Sequence, residues 1–180
     1  MALVVALVFL LLLTLMGISS IQNATLQEKM AGNVKSRNES FQMAEAALRL
    51  GESAVAATAF AIAPCPTAAK CLPPAEASTL AGAGTGPSGV VWVEAGNGFY
   101  GIQRIGTTRD PAVIGASTTV VDEAKPSYIL YRITGIGLQG ASRTVLESIH
   151  AILDKDAGLV NFQAETATSD NRRIMWRQRQ

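Results

Sequence analysis

From Met1 to Gln27 the chain carries no charged side chain, and whatever the remainder folds into must be compatible with that opening. The run Ala2-Leu3-Val4-Val5-Ala6-Leu7-Val8-Phe9-Leu10-Leu11-Leu12-Leu13 passes Thr14, continues as Leu15-Met16-Gly17-Ile18, and fades through Ser19 and Ser20. A helix needs about 20 apolar residues to cross the hydrocarbon of a bilayer, and this run supplies them. A secretory signal peptide would place a positive region before such a run and a small-residue cleavage site after it. Here the first basic residue is Lys29, and a helical pattern continues straight out of the run. The segment therefore reads as a membrane anchor. Basic residues on the cytoplasmic side normally set orientation. Their absence leads to the expectation that a basic leader has been removed and that Met1 is a processed N-terminus.

Beyond the apolar run, Met30, Val34, Phe41, Ala44, Leu48, Val55 and Ala59 recur at threes, fours and sevens, the spacing of one buried stripe on an amphipathic helix. Glu28, Glu39, Glu45 and Glu52 balance Lys29, Lys35, Arg37 and Arg49 between them. No proline precedes Pro64. One helix is predicted from near Met1 to about Ala63, roughly 90 Å long at 1.5 Å per residue. Gly17 and Gly51 are its expected weak points, each costing about 1 kcal/mol relative to alanine.

The rest supplies a folded head. Residues 64–89, rich in Pro, Ala, Gly, Ser and Thr, read as loop. Strands are predicted at 90–94 and 99–105, joined by the hairpin signal Gly96-Asn97-Gly98. A second pair is predicted at 128–134 and 143–152, with the glycines of 135–140 as the turn. The connection 106–126 is long enough to be functional surface or simply mobile. The predicted fold class is α+β, a long N-terminal helix on a small antiparallel β-sheet head. Its parts are a transmembrane or assembly half at 1–25, an amphipathic half at 26–63, and a β-rich head with a polar basic tail at 64–180. Cys65 and Cys71, close in sequence, would be joined as a disulfide in an exported protein.

Little here suggests reaction chemistry. His150, the one histidine, sits in a strand-like run and reads as a packed strand residue. No GxSxG elbow occurs, the glycines of 82–89 lack the Gly-Lys-Ser/Thr of a phosphate loop, and two cysteines offer too few zinc ligands. Asp154-Lys155-Asp156-Ala157-Gly158 starts like a calcium loop but lacks its third acidic position and closing glutamate. No catalytic residue, cofactor or metal is expected. A net charge of +1 leaves no global attraction to nucleic acid. The tail is locally basic through Arg172, Arg173, Arg177 and Arg179 around Trp176. It reads either as a partly disordered terminus or as a docking segment for an acidic partner or anionic lipid.

The wording of the helix is more specific than its period. Residues 2–12, then Asn23-Ala24-Thr25-Leu26-Gln27-Glu28-Lys29-Met30-Ala31-Gly32-Asn33, then Ala44-Glu45-Ala46-Ala47-Leu48 resemble the N-terminal region of PilX-type minor pilins of the type IV pilus. Tyr131-Arg132-Ile133-Thr134 is more weakly similar to the family's head. The resemblance implies cleavage by prepilin peptidase before Met1, N-methylation there, and a role in priming pilus assembly. It implies an inner-membrane helix with a periplasmic head before assembly and an extracellular pilus afterwards. Implied partners are other minor pilins and the major pilin through the N-terminal helix, and a PilY-type tip adhesin. Within the helix, Val5, Ala6, Phe9 and Gly17 are the expected assembly residues, Ala6 and Gly17 permitting close helix approach. Val5 departs from the family, since most pilins carry a glutamate at that position. A lone carboxylate in hydrocarbon is costly, so a subunit with no neighbour above it gains by lacking one, which points to the filament tip. A permanently anchored sensor or binding module of the same topology, or a type II secretion pseudopilin, is the alternative.

Overall fold

The computed structural model describes residues 1–57, 60–109, 127–154 and 171–179, with Asn171 and Arg172 by backbone alone. Ala59 of the predicted stripe, the connection from 110 to 126, and 155–158 of the calcium-like pattern lie outside the described residues.

Helix α1 runs unbroken from Ala2 to Ala56, 55 residues, or about 82 Å. It ends earlier than the expected Ala63, although no helix breaker lies between. Ala57 is extended at φ −65°, ψ 139°. The chain turns there because the head offers more than further helix would. The Phe60 ring packs edge-on against Tyr131 at 5.5 Å, and Cys65 N–H donates to Arg104 O at 3.1 Å. Tertiary contact overrides propensity.

The head is a six-stranded antiparallel meander in sequence order. Its strands are β1 (Gly84–Thr85), β2 (Val91–Glu94), β3 (Gly98–Thr108), β4 (Tyr128–Gln139), β5 (Ser142–Leu153) and β6 (Asn171–Arg179). The four predicted strands are all present, and β1 and β6 extend the sheet on either side. Gly96, at φ +60°, makes the β2–β3 turn, as the hairpin signal predicts.

The β4–β5 turn is tighter than expected. Gln139 pairs with Ser142, so only Gly140, at φ +57°, and Ala141 lie outside the ladder. Gly135 and Gly137 belong to β4 instead. They are there to let the helix in. A Cβ on Gly135 would stand 2.5 Å from Ala44 O, and one on Gly137 would run into Ser40 O and Ala44 N. Helix backbone rests directly on sheet backbone at this point.

Side chains alternate across the sheet. On the helix side, Ala44, Leu48, Val55, Tyr131, Ile133 and Leu146 form the main core. On the other side Trp92, Val90, Phe99, Ile136 and Val145 pack against Ala77 of a short 3₁₀ turn, Ala75–Ser78. The stretch read as loop is thus a cover layer. Its carbonyls are satisfied by sheet side chains: Lys70 and Leu72 by Gln103, Cys71 by Arg132, Pro74 by Arg179, and Ala77 and Leu80 by Arg143. Cys65 and Cys71 are bonded, with Cα atoms 5.4 Å apart, and hold this layer's first turn.

Candidate assembly surface

The helix divides by what touches it. Ser40, Ala44, Ala47, Leu48, Gly51 and Val55 are buried on the head. Nothing before Ser40 is buried, so the rod projects from the head along its N-terminal side. Met30 and Val34 of the predicted stripe are not covered, at 64% and 58% exposed. The stripe is real as a pattern, but its first two members lie beyond the reach of the sheet. Ser40, Ala47 and Gly51 take contact positions that hydrophobic periodicity does not flag. Gly51, expected as a weak point, is a contact: a Cβ there would meet Ile133 Cγ2 at 2.5 Å.

Both threonine hydroxyls of the projecting half bond within the helix. Thr14 Oγ1 donates to Leu11 O at 2.8 Å and Thr25 Oγ1 to Gln22 O at 2.9 Å. Hydroxyls that bond within the helix can sit in lipid or against another apolar rod. Met1 O accepts from Val5 N at 3.3 Å, closing the first turn. Val5 and Phe9 are 54% and 62% exposed, and Ala6 is exposed with them. No atom lies within 4 Å of a Cβ built on Gly17. Within one copy, then, nothing requires glycine at 17.

Two carboxylates organise the charges of the head, and sequence reasoning missed both. Glu52, on the helix, accepts from Ser148 Oγ at 2.8 Å, lies 3.2 Å from His150 Nε2, and pairs with Arg173 of β6. Burial opposes its charge, but contact with His150, then with Arg173 and Ser148, holds the Glu52 carboxyl at about 2. Ser148 and His150 both address the carboxylate, so this trio is a clamp between helix and sheet. Glu147 of β5 is wholly buried on the opposite face. It lies 2.6 Å from Arg132 Nε, 3.1 Å from Arg177 Nη2 and 3.9 Å from Arg179 Nε. A buried carboxylate is tolerated only when paired this closely.

The tail is accordingly a strand rather than a loose terminus. Arg173, Arg177 and Arg179 are engaged by the chain's own carboxylates, and Trp176 stacks edge-on against Phe41 at 6.3 Å while staying 44% exposed. The side chain of Arg172 lies outside the described residues. The signal that could reveal this strand is Ile174-Met175-Trp176 set among the arginines, with a glutamate waiting in the preceding strand-like run.

Among the described residues no three His, Cys, Asp or Glu side chains converge as a metal site. Among the described residues, α1 is the one helix long and apolar enough to cross a membrane, and its apolar window is unburied. A family model described as PilX N-terminal matches residues 1–49. Over that span the chain is similar to the N-terminal region of PilX-type type IV pilins. No curated protein and no solved structure matches the chain. The matched span covers the projecting rod and the first turns of helix laid on the head, up to Arg49. With the sheet behind it the layout is α+β and type IV pilin-like. The apolar helix and the matched family fit membrane anchoring and association with other pilus components.

Proposed function

We propose that this chain is a minor pilin that primes pilus assembly and sits at the filament tip with other minor pilins and a PilY-type adhesin. The rod at 1–25 is held in the inner membrane with the head on the periplasmic side, then leaves lipid to pack beside other pilin helices. Residues 26–63, helical to Ala56, carry the rod onto the head, and 64–180 present the partner surfaces. The carrying observation is the uncharged rod, exposed along its whole projecting length and matched by the pilin family model. Val5, where the resemblance expects glutamate, supports the tip position. A capping subunit needs no carboxylate to meet a terminal amine above it, and burying an unpaired one in hydrocarbon is costly.

The test is to express Val5→Glu beside the native chain and count surface pili. Loss of piliation, with the protein still in the membrane fraction, is the expected result. Unchanged pilus number would remove the basis for the tip. Recovery of the native chain in sheared pili, co-purifying with other minor pilins, separates this role from a permanently anchored module, which would stay with the membrane.

A further inference from the structure

On the helix side of the sheet, α1 lies over β3, β4 and β5, while Val91 and Val93 of β2 stay exposed. There the segment leaving the helix, residues 60–66, and β2 and β3 enclose a cleft of about 540 Å³, a size typical of small-ligand sites. Its walls are Phe60, Ile62, Val91, Val93, Tyr100 and Ile102. Val91 and Val93 are 59% and 41% exposed, so apolar surface is presented to the outside here rather than consumed in the core. Among the described residues the lining holds two cations, Lys70 and Arg104, and no Asp or Glu. In a chain of net charge +1 that is a local bias.

Arg104 stands apart from the other arginines of the sheet. Arg132, Arg173, Arg177 and Arg179 meet carboxylates, and Arg143 meets two carbonyls. Arg104 Nε is buried without a hydrogen-bond partner among the described residues. No carboxylate meets Arg104 among the described residues, so the cleft wall carries a positive charge that the described anions do not neutralise. Lys70, at the rim, already donates to Pro87 O. The disulfide holds this wall in place, because Cys65 and Lys70 lie within or beside its loop and both line the cleft.

We propose that this cleft binds a small apolar carboxylate, its body against Phe60, Val91, Val93 and Ile102 and its carboxylate on Arg104. The site is independent of whether the chain enters a filament. The experiment uses the full chain in lipid nanodiscs with labelled Val and Ile methyl groups, titrated with 2-naphthoate and with its neutral analogue 2-naphthamide. The naphthoate should shift the Val91, Val93 and Ile102 methyls saturably and leave Ile133 unmoved. The amide should bind about tenfold more weakly, the worth of one charge-assisted bond. Arg104→Gln should erase that difference. Val93→Trp, which fills the cleft, should abolish binding of both while the Ile133 signal reports an intact core. Equal affinity for acid and amide in the native chain overturns the proposal. So does a difference that survives Arg104→Gln. Shifts confined to Val4, Val5 and Val8 overturn it too, since they would report partition into lipid.

Discussion

Glu52 couples rod to head through charge, and its environment fixes a pH dependence. Its folded value, about 2, lies below the ordinary 4.5. A depressed carboxyl contributes stability that is complete above the unfolded value and lost as pH falls through the folded one. The denaturant midpoint of the full chain should therefore fall between about pH 4.5 and pH 2. Glu52→Gln should flatten that limb and lower stability at neutral pH by about 1–3 kcal/mol. An acid limb identical in the variant would show that other groups carry it. Gly137 makes a steric counterpart. With Ser40 O and Ala44 N where a methyl would go, Gly137→Ala must push two backbones apart. Thermal unfolding should register a loss of about 1–3 kcal/mol or more. Sequence alone reads such glycines as turn formers. The reason they are not is visible only when the helix is laid on the strand.

Helix α1 behaves as two elements joined end to end. Residues from Ser40 onward belong to the core of the head, whereas Met30 and Val34 extend the same stripe into open space. Val34→Asp should thus leave the melting temperature of the head unchanged and reduce incorporation into sheared pili, read by immunoblot. A drop in melting temperature instead would place Val34 in the head's own stability. The cover layer on the far face makes a different demand. It is irregular, held by side-chain bonds to its carbonyls and by one short cross-link spanning six residues. Replacing Cys65 and Cys71 together with serine should cost about 2 kcal/mol in the loop-entropy picture, measured by chemical denaturation. Four strands were legible from their β-branched alternation and turn residues. Strand β6 was not, because four arginines in nine residues look like solvated surface until the buried Glu147 opposite them is known.

At the scale of the whole molecule, the helix, the sheet and the α+β class were readable because each rests on a long periodic signal. What escaped was the register between them. Apolar period says which side of α1 turns inward but not how far along its length the sheet sits. Here that is decided by Gly51, Gly135 and Gly137, small residues with no hydrophobic signature. The same trio has a mechanical meaning. It is a notch that keys the head to one height and one azimuth on the shaft, because sliding by a single residue would bring side chains where only backbone fits. Distance from lipid to head is then set by the count of residues upstream. Each one inserted between 26 and 36 would lift the head by about 1.5 Å and swing it by about 100°, leaving its interior untouched.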